Sequence, residues 1–349
     1  MSQSTAADPA IAIDVVVLTA LEMERVAVVR ALGDCAEYPW RGSKLARAAL
    51  GDMNVLVVPL EGMGNTNSAY VAKRAIGIWN PSYVFLTGIA GGARAGVDGL
   101  RLGDVLVPEQ VVGYELAKVT ASGTAPRYQV YRPDKRLLDA ARDVPPDRWA
   151  GRVSIARPDD TISDPAVHFG SVLSGEKVVA DRDYLDDLRG AWPKAIGVEM
   201  ECLGVALAAY DSGPGFGMAK AVSDFGEESK NDAWQAYAAE TAARFTVAVL
   251  GSMQAPPRGR HHQSRPVGAV TTFPGPAKLA VCRRLLDDWK EVADYFEVPP
   301  HGRARFGRGD EPRELWAWLE IRDKLHELPD ALVEIGRGDL SRLLRDEAP

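Results

Sequence analysis

Cysteine is scarce in this chain: 349 residues include three, Cys35, Cys202 and Cys282, far apart in sequence. That scarcity excludes a dense disulfide scaffold and a clustered cysteine zinc site. A basic surplus is missing too. Lys and Arg number 41 against 48 Asp and Glu, for a formal charge of -7. Backbone contacts to DNA or RNA need a basic surface, so no nucleic-acid partner is expected. No run of about 18 apolar residues is present, so no membrane span is expected. The opening MSQSTAADPA has no basic segment leading into an apolar stretch, as a signal peptide would. A soluble, cytoplasmic chain is the expectation, long enough for one large domain and a smaller one.

What is present first is a repetition of apolar run, glycine-rich turn and helical pattern. IAIDVVVL (11–18), NVLVVPL (54–60) and YVFLTGIAGG (83–92) read as buried strands, and DVLVPEQVVGYE from Asp104 as a fourth. TALEMERVAVVRALGD follows the first with helical spacing and ends near Gly33. Later strands are predicted at 171–180 and 216–226, with an acidic motif at 196–210 feeding a helix. The Ala-rich stretch 232–250 reads as a long helix closing the large domain. The pattern predicts an α/β domain over 11–250 with a mixed, at least partly parallel central sheet flanked by helices. The irregular stretch 121–170, with a short helix at 134–142, is expected to cross the active-site face.

Residues 251–270, GSMQAPPRGRHHQSRPVGAV, lose all periodicity and read as a flexible linker. His261 and His262 within it read as solvent-exposed rather than metal-binding. Beyond it, 271–349 has the pattern of a small all-α bundle. Leu285, Leu286, Trp289, Val292 and Phe296 form one apolar stripe; Leu315, Trp316, Leu319 and Leu325 form another. Asp339 is placed to cap the last helix, with Gly336 or Gly338 before it.

Residue by residue, the carboxylates have ordinary readings. Asp224 in VSDFG suits a turn, and Glu199 and Glu201 in GVEMEC suit a helix N-terminus. The glycine clusters lack the spacing of a dinucleotide-binding fingerprint or a P-loop. The ordered set TALEMER, VPLEGMGNTNSA, LTGIAGG with LRLGDVLVP, SGEKVV, GVEMEC and AVSDFG resembles the purine nucleoside phosphorylase and methylthioadenosine/S-adenosylhomocysteine nucleosidase superfamily.

That resemblance implies a site built from strand ends. Asp224, oriented by Ser223, faces purine N7 as general acid. Glu201 accepts hydrogen bonds from the ribose hydroxyls, with Met200 beside the sugar. Glu24 lies near the attacking water. Ile89, Ala90 and Gly91 approach the nucleoside through small residues and backbone; Ile89 stands where many relatives have a small polar residue. Val178 falls where nucleosidases stack an aromatic ring on the base, Val179 contacts the base, and Phe225 is a candidate to supply the missing ring. Lys177 is expected to make a local salt bridge. Hydrolysis of a purine, adenine-type, nucleoside or nucleotide is the implied reaction, with no cofactor and no metal. A phosphate-dependent phosphorylase and a non-catalytic nucleotide-sensing protein are the alternatives. Relatives commonly assemble, so a homo-oligomer is expected.

The tail from CRRLLDDWKEVADYF to DLSRLL resembles effector-associated, death-like adaptor domains of bacterial conflict systems. This implies a partner protein carrying a related helical domain and an effector role in antiviral defence.

Overall fold

The computed structural model describes residues 12–40, 43–93, 99–121, 123–159, 163–226, 232–254, 273–296, 298, 303, 306–307, 309–321 and 324–346. The chain divides into two compact units, Met1–Ser264 and Arg265–Pro349. Most of the expected linker, His261 and His262 included, lies outside the described residues.

The first unit runs β1 (Val15–Thr19), α1 (Glu22–Leu32), β2 (Ala36–Trp40), β3 (Ser43–Leu50), β4 (Met53–Pro59), α2 (Asn65–Trp79), β5 (Tyr83–Gly92) and β6 (Val105–Gly113). It continues with β7 (Ala117–Thr120), β8 (Gly123–Pro126), β9 (Gln129–Tyr131), α3 (Lys135–Asp143), β10 (Val167–Ser174) and α4 (Arg182–Ala191). β11 (Ala195–Glu199), α5 (Cys202–Ser212), β12 (Gly215–Asp224) and α6 (Asp232–Ser252) complete it. β4, β1, β5 and β12 lie parallel side by side. β12 then pairs antiparallel with β6, which runs parallel to β10, and β10 to β11. β11 returns to the carboxyl end of β5 through Gly197↔Gly92 and Val198↔Gly91. Five strands therefore close into a ring, while β3 and β2 extend the sheet from β4 to a free edge. The fold is a mixed central sheet with helices on both faces.

Alternation in VVVLT explains the two layers. Val15 and Val17 join a core with Ala238, Ala242, Phe245 and Val249 of α6. Val16 and Leu18 point the other way, into a core with Val71 and Ala75 of α2 and Val205 and Ala209 of α5. Both faces are buried, as a parallel strand covered by helices requires. The α2–α5 contact depends on Gly204, where a Cβ would stand 2.1 Å from the Asn65 carbonyl oxygen and 2.3 Å from Ser68 Oγ. Neither atom can swing away, because the first is backbone and Ser68 is fully buried. Gly204→Ala is expected to destabilise the chain by about 3 kcal/mol, read as a shift in urea midpoint. An unchanged midpoint would mean that the helices separate freely.

Two expectations for the first unit need correcting. The strand predicted at 171–180 spans Val167–Ser174 instead. Glu176 is drawn out to accept from Asn65 N (3.1 Å) and Thr66 N (3.2 Å) at the start of α2, where a carboxylate is favoured. Part of the stretch 121–170 also lies away from the expected face. Short 3-10 turns at Pro146–Arg148 and Ala150–Arg152 pack near Tyr83, at the amino end of β5. Trp149 fixes them there by stacking edge-on to Phe245 at 5.2 Å, and Glu240 holds Ser154 and Ile155 through their backbone N–H groups.

The second unit contains α7 (Gly275–Leu285), α8 (Trp289–Tyr295), α9 (Glu311–Ile321), α10 (Leu328–Glu334) and α11 (Gly338–Asp346). Leu285, Val292, Phe296, Leu315, Trp316, Leu319, Leu325, Leu340 and Leu344 form its core. Leu286 leaves the predicted stripe: it is 71% exposed, with φ +42° at the break between α7 and α8. Asp339 lies inside the first turn of α11 and pairs with Arg337 (3.1 Å) and Arg284 (2.8 Å). Gly336, at φ +79°, makes the turn that separates α10 from α11. Among the described residues, no helix is long and apolar enough to cross a membrane.

Candidate active site

The carboxyl ends of β1, β5, β11 and β12 gather the acidic residues singled out above. In α/β folds, ligand sites commonly lie at the carboxyl ends of the strands. Glu24 sits in the first turn of α1 and turns back: Oε2 accepts from Ala20 N at 2.7 Å and Leu21 N at 2.8 Å. Its Oε1 accepts from Ile89 N at 2.9 Å, which ties α1 to β5. Gly88 makes room, since a Cβ there would lie 2.1 Å from that oxygen. Burial pushes the Glu24 carboxyl above its ordinary range, although nearby Lys220 and the three N–H donors pull the other way.

GVEMEC ends β11 and opens α5. Glu199 accepts from Glu201 N and Cys202 N, both at 2.9 Å, so it satisfies donors that the helix start leaves open. Glu201 accepts from Gly64 N at 3.3 Å. Between the two carboxylates lies Lys220, with Nζ 2.6 Å from Glu201 and 3.0 Å from Glu199. All three side chains are buried. Burial opposes the Lys220 charge, but Glu199, Glu201 and Glu24 outweigh it and hold the ammonium well above the ordinary lysine value. Burial also works against the charge of Glu201; Lys220 overcomes it and keeps this carboxylate below its usual range. Glu201 is thus a buried, ionised acceptor with lone pairs to spare, since a carboxylate offers about four acceptor positions.

Asp224 closes β12. The register passes from Val222↔Ala90 to Asp224↔Gly91, leaving Ser223 as an extra residue. Such a bulge re-aims side chains. Ser223 Oγ donates to Asp224 Oδ2 at 3.0 Å, and Gly226 N donates to Oδ1 at 3.0 Å. Asp224 is half-buried. Gly88 and Gly91 are three positions apart on β5, so Glu24 and Asp224 address one strand end about 10 Å apart along it.

The remaining predicted residues divide. Ala90 is buried; Ile89, Gly91 and Met200 are half-buried on the same strand ends. Val178 is 55% exposed. Val179 turns its side chain toward the cluster of Tyr114, Leu173 and Leu185. The Phe225 ring rests on Gly92 and packs against the cluster of Ala90, Leu100, Leu106 and Val222. Lys177 pairs locally with Glu115. Sequence reasoning misses Lys220, whose one signal is a lysine inside the apolar run FGMAKAV. Among the described residues, no group of three or more His, Cys, Asp and Glu is placed to hold a metal ion.

Known protein families match both units of the chain. The phosphorylase superfamily model matches residues 14–251, and the model for bacterial Death-like domain 3 matches residues 275–347. The ATP nucleosidase Cap17 of Escherichia coli (strain KTE188) is 27% identical over 266 residues, covering 68% of this chain and 50% of the relative. The chain therefore spans about half the length of that relative. A 5′-methylthioadenosine/S-adenosylhomocysteine nucleosidase of Exiguobacterium is 27% identical over 217 residues, covering 59% of this chain and 83% of the relative. Among solved structures, the corresponding nucleosidase of Neisseria meningitidis, in complex with methylthio-immucillin-A, superposes with TM-score 0.55 at 22% identity, covering 69% of this chain and 99% of that one. Futalosine hydrolase of Helicobacter pylori gives TM-score 0.55 at 21% identity, covering 69% and 98%. With its sheet, its strand-end carboxylates and a family match over 14–251, the chain belongs to the phosphorylase superfamily.

Proposed function

We propose that this chain hydrolyses the N-glycosidic bond of an adenine-type nucleoside or nucleotide, as an effector engaged through its C-terminal helical unit. The observation that carries the reading is the convergence of Glu24, Glu201 and Asp224 on one set of strand ends. Water held by Glu24 adds its oxygen to C1′ as the C1′–N9 bond breaks, and its proton leaves to the Glu24 side. Asp224 delivers a proton to purine N7, so the base departs neutral. Glu201 accepts from the ribose hydroxyls, and its fixed negative charge favours the cationic sugar of the transition state. Ile89 N–H is already engaged by Glu24. A phosphate nucleophile at that point would have to compete with a carboxylate, which favours water. The similarity to an ATP nucleosidase and to a 5′-methylthioadenosine/S-adenosylhomocysteine nucleosidase supports adenine compounds with different 5′ groups.

The test is mass-spectrometric product analysis of the full chain with ATP, ADP, AMP, adenosine and methylthioadenosine, with and without inorganic phosphate. Free adenine and the corresponding ribose product are expected without phosphate. Release that requires phosphate and yields ribose 1-phosphate would select phosphorolysis, and no release across the panel would remove the enzyme reading.

The raised Glu24 pKa sets the acid limb of the rate profile. Water positioning needs the carboxylate, so activity falls as pH drops through the folded-state value. That value lies above the ordinary 4.5. The acid limb of kcat/KM is therefore expected above about pH 4.5 and should vanish in the residual rate of Glu24→Gln. A profile that is flat down to that pH would remove Glu24 from this role.

A further inference from the structure

A cavity of about 960 Å³ lies at the amino end of the sheet, lined by Tyr83, Ala31 of α1, the 3-10 turns after α3 and the last turn of α6. Tyr83 opens β5 and Gly88–Gly91 lie near its close, so this cavity is separated from the strand-end carboxylates by about 17–26 Å of extended strand. We infer that it is a second binding site, for a phosphorylated small molecule with an apolar ring.

Four guanidinium groups line the cavity: Arg136 from α3, Arg148 and Arg152 from the 3-10 turns, and Arg244 from α6. Asp143 is the one carboxylate among the lining residues. Arg244 spends Nε and Nη2 on Glu240, at 3.4 and 3.2 Å. Arg136 is exposed and lies near Tyr83 and the Asp134 carboxylate. Among the described residues, Arg148 and Arg152 have no carboxylate partner. Counting Asp134, Asp143 and Glu240, guanidinium groups still outnumber carboxylates by one.

These arginines are not on a loose loop. Trp149, between Arg148 and Arg152, is 1% exposed. Glu240 is fully buried and grips Ser154 Oγ at 2.7 Å and Ile155 N at 2.7 Å. The fold thus holds Arg148 and Arg152 at one concavity with no carboxylate partner among the described residues.

An anion resolves the imbalance, and a phosphate suits it best, because planar guanidinium forks match phosphate oxygens in pairs. Beside Ser252 and Gln254, the rest of the lining includes an apolar set, with Leu50, Val144, Val247 and Met253 among its residues. An apolar wall with a few convergent polar groups is the usual make-up of a small-molecule site, and the volume falls at the upper end of the usual range. The ligand class is therefore a phosphate ester or polyphosphate attached to a flat ring, such as a nucleotide.

The probe should be a nucleotide without a purine, so that the strand-end site does not consume it. Calorimetric titration of the full chain with UDP and with pyrophosphate provides two arms. Saturable binding of UDP, tighter than pyrophosphate and weakened by salt, is expected. Arg148→Glu combined with Arg152→Glu should weaken UDP binding at least tenfold, and the double alanine variant should weaken it less. Both arginines are exposed, so melting temperatures should stay as in the parent. Binding by the double glutamate variant within twofold of the parent would overturn the site, as would no saturable binding of either probe by the parent. Equal affinity for pyrophosphate and UDP would overturn the apolar half of the assignment.

Discussion

Asp224→Asn is expected to lower the rate of adenine release by about 10²–10⁴-fold, the usual contribution of a positioned proton donor. Asparagine keeps the shape of the carboxyl group. Its Oδ1 can still accept from Gly226 N, and Ser223 Oγ keeps a polar neighbour. What it cannot do is give up a proton to N7, so the base must leave carrying charge. The effect should therefore sit in kcat, with KM moved little, because the amide still contacts the purine edge. A substrate whose leaving base needs no protonation should recover part of the loss. The comparison is a steady-state assay of both proteins on the substrate found by product analysis. A variant within threefold of the parent would place the proton donor elsewhere.

Lys220→Met is expected to destabilise the chain by about 3–5 kcal/mol at neutral pH, the range for removing one partner from a buried ion pair. Methionine matches the length and packs well, so lost volume is not the cause. Glu199 and Glu201 lose the ammonium at 3.0 and 2.6 Å, and Glu24 loses its nearest cation. The sign of the pH dependence distinguishes this from a packing defect. With Lys220 present, Glu201 titrates below its ordinary value; its stabilisation is present above about pH 4.5 and is lost as pH falls through the folded-state value. Without Lys220, the burial that raises Glu24 and Glu201 is opposed only by their backbone N–H donors, so the variant gains stability relative to the parent as pH falls. Urea midpoints at about pH 7 and about pH 5 should converge at the lower value. A gap that stays constant would point to packing instead.

The sequence made strands legible wherever apolar runs end in glycine. YVFLTGIAGG was read at 83–92 and is β5 over Tyr83–Gly92. Strands β2 and β3 were not read, because AEYPW and SKLARAAL carry proline, lysine and arginine. Both lie at the free-edge side of the sheet, where such residues are tolerated. Helix α4 was also missed, although Asp181 accepts from Asp183 N and Tyr184 N to cap it; its charged sequence RDYLDDLRGA has few apolar positions to reveal a period. The acidic residues of the site were legible only as an ordered set of motifs. Their common counter-ion was not, because Lys220 stands 19 to 21 residues from Glu201 and Glu199 and meets them only when β12 and β11 both approach β5. The extra residue at Ser223 was equally hidden, since a bulge is a property of pairing and has no composition of its own.

The ring formed by β5, β12, β6, β10 and β11 has a mechanical consequence. In an open sheet an end strand can peel away by breaking one ladder of hydrogen bonds. Here every strand bearing Glu199, Lys220, Asp224 or the Gly88–Gly91 backbone is laced on both sides, so none of them frays alone. The chemistry is mounted on a hoop that gives way as a whole or not at all, and motions that admit or release a small molecule must come from the connections above its rim.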